Sequence, residues 1–248
     1  MSKPVMGTYL EHLDELRRRL WVAVAAFLIC SFVSLFYSDQ LLKIALSPAE
    51  GLIPSLYFFT PADAFVVKIK LALLSGFLIS SPVIISQFWL FVSPGLHEHE
   101  KKAIVPFTFF SSALFLSGAA FAFFKIVPLT LQILLGMQTE WLKPMVSAGE
   151  YLSFLSLALI SFGVAFDLPV FVLLLVLANV VNVQMLNQFQ RQAVVLIFIA
   201  AAILTPGPDI ASQLLLAIPL LLLYEASVFL AMLVDRAHRK KKEKVLAG

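Results

Sequence analysis

Acidic and basic side chains in this sequence gather at a few points, and their spacing suggests what they could do. Glu11, Asp14 and Glu15 run directly into Arg17, Arg18 and Arg19. Helical spacing makes Glu15 and Arg19 an i,i+4 pair, worth only a few tenths of a kcal/mol. The modest reading is therefore a charged, interfacial first turn. The functional reading is that carboxylates here meet a cationic peptide. Arginine presents a planar fork that a carboxylate accepts bidentately, so a site that reads two arginines needs two placed acids. Glu98 and Glu100, in a later polar segment, are candidates for the second.

Asp167 is a different case, since it stands alone inside a long apolar run. An ionisable group at the centre of a membrane helix costs at least ~2.5–3.5 kcal/mol on insertion scales. Such residues face a bundle interior or a polar partner. Pro169, two positions on, removes a backbone donor and frees a carbonyl near Ala165. Gln87, Gln213 and Glu225 are further polar points in apolar surroundings. Gln87 and Trp89 would serve equally well as interfacial anchors.

Other chemistries lack their residues. His97-Glu98-His99-Glu100-Lys101 resembles an intramembrane zinc-protease motif, but Lys101 stands where its second histidine belongs. Neither a nucleophile elbow nor a phosphate-binding Walker loop occurs. Cys30 is the sole cysteine, so intrachain disulfides and thiolate clusters are excluded. We expect neither an enzyme nor a cofactor.

The elements that would carry these residues are membrane helices. Of 248 residues, 60% are hydrophobic and 13% charged, against about a quarter charged in soluble domains. The apolar residues cluster into runs that lipid satisfies and water does not. Six spans are expected, at Leu20–Tyr37, Ile69–Phe91, Ile104–Phe124, Leu152–Ala178, Ala193–Leu204 and Ile210–Val234. Crossing the hydrocarbon takes about 20 residues, so the fifth is short. Glu225 interrupts the sixth. The turn Thr205-Pro206-Gly207-Pro208-Asp209 joins the two, implying local bilayer thinning or a re-entrant hairpin. No cleavage site closes the first run, which should remain as a span.

Lysine and arginine set the orientation. With the N-terminus inside, the cytoplasmic flanks hold Lys3, Arg17 to Arg19, Lys101, Lys102, Arg191 and the basic tail 235–248. Both termini are then cytoplasmic. The tail reads as an anchor beside anionic membrane lipid, without a nucleic-acid role. Pro48, Pro54 and Pro61 punctuate an outer loop whose Leu52, Ile53, Leu56, Tyr57, Phe58 and Phe59 suggest a packed cap. No internal repeat is visible, so an inverted-repeat transporter is not indicated. The whole chain reads as one membrane domain, 1–248.

Several motifs, in order and at matching spacing, resemble TatC proteins. They are His12-Leu13-Asp14-Glu15-Leu16-Arg17 with Arg19; Phe59-Thr60-Pro61; Gln87-Phe88-Trp89 through Pro94-Gly95-Leu96 to His99-Glu100-Lys101; Asp167-Leu168-Pro169-Val170; Thr205 to Asp209 with Ser212-Gln213; and Leu215 through Ile218-Pro219 to Leu223-Tyr224-Glu225. The resemblance implies an all-α, glove-shaped, six-helix inner-membrane protein. That protein accepts twin-arginine signal peptides of folded substrates. It implies Glu15 and Glu100 as the arginine-reading acids, with His12, Arg17, Arg19 and Gln87 around them. Partners of the TatA and TatB type would dock near spans 5 and 6, where Asp167, Thr205, Asp209 and Gln213 supply polar contacts. The assembly would be an oligomeric complex driven by the proton-motive force. Three departures stand out: Asp167 where Glu is usual, Gly207 within the Thr-Pro-Pro-Asp turn, and Phe123 and Phe124 where many members have Tyr. The competing readings are a proton-coupled small-solute transporter built on Asp167, and an assembly scaffold that needs no paired cytoplasmic acids.

Overall fold

The computed structural model describes residues 5–53, 55–92, 104–136, 139, 144–177, 181, 183–204 and 210–246. At 5–12, 104, 177, 183, 204, 211–212, 215 and 234–246 only the backbone is described. The chain is helical, in the order α1 (Val5–Phe36), α2 (Ser38–Leu46), α3 (Asp63–Val92), α4 (Ile104–Phe121), α5 (Val127–Gly136), α6 (Ala148–Leu177), α7 (Val183–Leu204) and α8 (Ile210–Leu246). A 3₁₀ turn at Ser47–Ala49 follows α2, and a π turn at Ala122–Ile126 joins α4 to α5. Among the described residues there are six helical segments long and apolar enough to cross a membrane.

The expected spans are present, with altered ends. Span 3 does not stop at Phe124 but runs from Val105 to Gly136. The widened turn falls directly before Pro128, with the Val127 N–H reaching back to the Ala122 carbonyl. Because proline has no N–H to donate, a widened turn lets the helix continue past it. Span 5 was expected to begin at Ala193, yet α7 starts ten residues earlier, at Val183. Gln184, Asn187, Gln188, Gln190, Arg191 and Gln192 lower the hydropathy of this stretch without breaking a helix. The fifth and sixth spans are still the shortest of the six, at 20 and 18 residues. At 1.5 Å per residue, 20 residues rise roughly 30 Å, so the fifth needs little thinning.

The chain divides into two compact units, 1–44 with 62–113, and 45–61 with 114–248. In the first, α1 and α3 lie against one another at very short range. A Cβ on Gly76 would lie 2.1 Å from Ser31 Oγ and 2.5 Å from its Cα. Only glycine allows that approach. The Phe27 and Phe77 rings meet edge to face at 6.3 Å one residue away on α3, and at the far end Lys68 pairs with Asp39 at 3.0 Å. Ser31 and Ser34 are buried at this seam.

Within α3, Pro82 leaves the Leu78 carbonyl without its usual i+4 donor. The Ser81 hydroxyl donates to that carbonyl instead, at 2.8 Å. In hydrocarbon an unsatisfied carbonyl is costly, so the two residues compensate each other.

In the second unit, α4 and α6 approach through glycines on both sides. A Cβ on Gly118 would lie 2.5 Å from the Phe162 carbonyl oxygen, and one on Gly163 would lie 2.6 Å from the Phe115 ring. Phe121 then packs on Phe162 and Phe166, at 6.0 and 5.7 Å between ring centres. Val172, Val176 and Ala231 form a small core with Leu186. In the segment after α2, Tyr57 pairs with Ser147 in a single parallel bridge. Tyr151 donates to the Ala45 carbonyl at 2.6 Å. The expected cap is thus pinned at Pro48 and Ala49, which are buried, but Tyr57, Phe58 and Phe59 are exposed rather than packed.

Replacing Ser81 by Ala should cost about 1–3 kcal/mol, since it leaves the half-buried Leu78 carbonyl of a membrane helix without a donor. In a Pro82→Ala background, where a backbone N–H returns, the same change should cost under about 1 kcal/mol. Unfolding equilibria of the four proteins in bicelles measure both costs.

Candidate functional site

The N-terminal acids and arginines fall on two faces of α1, because helical periodicity separates neighbours in sequence. Glu15 and Arg19 lie half-buried on the side that continues to Ser31 and Ser34, the α3 side. Arg19 donates to Glu15 Oε1 through Nε at 3.0 Å and again through Nη2. The expected i,i+4 pair is present. It is shielded, with side-chain exposures of 22% for Arg19 and 30% for Glu15, so it is less screened than an ordinary surface pair. Asp14 and Arg17, one residue before and two after Glu15, are 3.9 Å apart and mostly solvated. Asp14, Glu15, Arg18 and Arg19 together line a shallow indentation.

Gln87 belongs to the same end of the α1–α3 pair. The antiparallel register set by Ser31 on Gly76 and Phe27 on Phe77, followed along both helices, sets Gln87 level with the Arg19–Leu20 turn. Its amide makes a long contact, 3.4 Å, to Ser86 Oγ. Trp89 is buried one turn from the end of α3 and stacks on Phe107 at 6.0 Å. Trp89 therefore holds α4 against α3 at this end. His12 lies in α1, with its backbone alone described. Glu100, Thr205 and Asp209 lie outside the described residues, as do Glu98, His97 and His99.

The second group is divided differently from the expected one. Asp167 is half-buried in α6 beside Phe166, and its Oδ1 is sealed from solvent. Gln213 lies elsewhere. Val172 and Val176 pack with Ala231, a register that sets Asp167 near Tyr224 on α8. Gln213 is then roughly 16.5 Å away along the axis, eleven residues at 1.5 Å each. The Gln213 Nε2 donates to the Phe198 carbonyl at 3.0 Å, and its Oε1 has no hydrogen-bond partner among the described residues.

Two contacts of this kind were not anticipated. Tyr224 donates to the Leu186 carbonyl at 3.1 Å, and Gln190 donates to Glu225 Oε1 at 2.9 Å. With Gln213 on Phe198 they form three polar rungs between α7 and α8. Glu225 lies at the middle of its apolar window, Leu216–Leu233, where a carboxyl group needs a partner. The individual residues were visible in the sequence. Their pairing across 35 positions depends on how two helices align, which no local pattern encodes.

No group of three or more potential metal-ligating side chains occurs among the described residues. What the fold and the site define is a polytopic helical membrane protein with a charged, arginine-engaging end on its first helix pair. The family model for the Sec-independent protein translocase protein TatC matches residues 11–219. A TatC of Carboxydothermus hydrogenoformans is 40% identical over 233 residues, covering 94% of this chain and 95% of that one. One from Aquifex aeolicus is also 40% identical, over 237 residues, covering 94% and 97%. A crystal structure of a twin-arginine translocase receptor, TatC, superposes with a TM-score of 0.82 at 39% identity, covering 89% of this chain and 99% of that one. The chain belongs to the TatC family. It is an integral membrane protein and a component of the Sec-independent, twin-arginine protein translocase.

Removing one of the α7–α8 rungs should loosen the span that is least covered by the rest of the protein. A double-mutant cycle of Gln190→Ala and Glu225→Ala should give a coupling of about 0.6–1.7 kcal/mol, the range of hydrogen bonds in membranes. Steric-trapping measurements of unfolding in bicelles read that coupling directly.

Proposed function

We propose that this chain is the signal-reading subunit of the translocase, lying in the inner membrane with both termini cytoplasmic. Glu15 and Glu100 take the paired arginines of the signal peptide, with His12, Arg17, Arg19 and Gln87 around them. The observation that carries this reading is that Glu15 already accepts a guanidinium, from Arg19, in a partly shielded position on the α3 side of α1. An incoming arginine finds an acid oriented for its fork, and it competes with Arg19 rather than with bulk water. That exchange favours reversible binding, as a receptor that hands its substrate on requires.

Partners of the TatA and TatB type dock by single helices along spans 5 and 6. In support, only 6% of the span 5 window is buried within the chain, and the Gln213 Oε1 can accept a bond from a polar side chain. Thr205 and Asp209 extend this contact, and Asp167 offers a second polar point at a different depth. Such bonds are worth about 0.6–2 kcal/mol each, which suits assembly on demand. The proton-motive force drives transport, without nucleotide hydrolysis.

Each of Glu15→Gln and Glu100→Gln should weaken binding of a twin-arginine signal peptide about ten- to a hundredfold, the equivalent of one charge-assisted contact. A twin-lysine analogue should lose far less, since a compact ammonium gains little from a bidentate acid. Fluorescence-anisotropy titrations of both peptides against the purified protein make the comparison. Equal losses for the two peptides would mean general electrostatic attraction instead of arginine reading. Glu98→Gln should leave both affinities unchanged.

A further inference from the structure

The face of α1 that turns away from α3 has its own arrangement of charge and apolar surface. Asp14, Arg17, Arg18, Trp21, Val22 and Ala25 line one open groove along it. Their numbering follows the i, i+3, i+4, i+7 pattern, so they form a continuous stripe on a single helix face. All six are exposed. Trp21, the largest, is 68% exposed.

The charges in the groove are unequal. Two guanidiniums stand against one carboxylate, and that carboxylate is 3.9 Å from Arg17 with both side chains solvated, a pair of little strength. Arg18 has no hydrogen bond or ion pair among the described residues, unlike Arg19, which Glu15 engages. The upper end of the groove therefore selects an anion, and a guanidinium fork matches phosphate oxygens. Below the arginines the groove turns apolar within one turn, and Ala25 lies about 10 Å down the helix axis from Arg18. A ligand filling both parts must carry an anionic head and an apolar chain parallel to the helix. A tryptophan just beneath the basic residues is where the headgroup level of a bilayer is expected.

We propose that this stripe is a binding site for one anionic phospholipid. Its phosphate sits between Arg18 and Arg17, and an acyl chain lies along Trp21, Val22 and Ala25. The site neighbours the Glu15 face and shares Arg17 with the rim proposed for the signal peptide, but Arg18, without an acid of its own, gives it a preference for an anion. The site itself depends on neither the signal-reading role nor the orientation of the chain.

Native mass spectrometry of the full-length protein, titrated with dioleoyl-phosphatidylglycerol or with dioleoyl-phosphatidylcholine, tests the proposal. Phosphatidylglycerol should bind in preference. Arg18→Gln should reduce its affinity about fivefold, the worth of one basic residue near an anionic surface. Trp21→Ala should reduce binding of both lipids, and Lys43→Gln, an exposed cation elsewhere, should change neither. Both altered residues in the groove are exposed on the helix surface, away from the packed seam with α3, so thermal unfolding should remain at the parent value. Phosphatidylglycerol binding that is insensitive to Arg18→Gln, or that falls equally with Lys43→Gln, overturns the proposal. A twin-arginine peptide whose own binding is lost in Arg18→Gln would assign the stripe to peptide and overturn it as well.

Discussion

Inside a bilayer, apolar side chains gain nothing by leaving lipid for one another, so helices stay together by close approach and satisfied polar groups. The rest of this structure depends on that constraint. Gly76 lets α1 reach α3 until the Ser31 backbone fills the place of a side chain, and Gly118 and Gly163 do the same for α4 and α6. Some serine hydroxyls bond back to their own helices, as Ser75 does to Leu71 beside Gly76 and Ser227 does to Leu223 in α8, whereas the buried Ser31 and Ser34 hydroxyls at the Gly76 seam have no partner among the described residues. In Ser75 and Ser227 the polarity is absorbed locally, and a small side chain at each of these positions leaves the helix surface able to pack. Ser81 goes further and replaces the donor that Pro82 removes. The helix can then keep its proline without exposing a carbonyl to hydrocarbon.

The close seam between α1 and α3 also decides what the charged end of α1 can do. Because one side of α1 is committed to α3 as far as Glu15 and Arg19, those two residues are shielded and held together. Arg17 and Arg18, on the other side, remain solvated above an apolar stripe. Adjacent positions in the chain thus acquire different electrostatic surroundings from helical geometry alone. An acid already oriented toward a guanidinium suits the reading of arginine. Exposed arginines above tryptophan suit a phosphate at the headgroup level.

Spans 5 and 6 meet the same constraint by other means. α7 is scarcely covered by the chain, and side-chain hydrogen bonds from Tyr224, Gln190 and Gln213 fix it to α8. A span attached along one line and open to lipid elsewhere leaves its surface available to another helix. Such a surface is of use in a protein that works as a component of a larger translocase. Directional polar rungs hold position where dispersion contacts would permit sliding.

Local and compositional information determined much of this in the sequence alone. Run lengths of apolar residues are enough to count six spans, since lipid imposes a length on every crossing helix. The Glu15–Arg19 pair follows from helical periodicity. The family follows from motifs spread along the chain. Span ends were less legible: hydropathy responds to polarity, and the glutamine-rich start of α7 is polar yet fully helical. Span 3 continues past Phe124 because a π turn accommodates Pro128, a backbone rearrangement with no compositional signature. Interhelical register was decided by tertiary structure alone. It joins Gln190 to Glu225, turns the Gln213 amide onto Phe198, and keeps Asp167 at a different depth from Gln213. Register is set by which groups can meet across two helices, glycines for α1–α3 and α4–α6 and side-chain hydrogen bonds for α7–α8, and that is a property of pairs of helices.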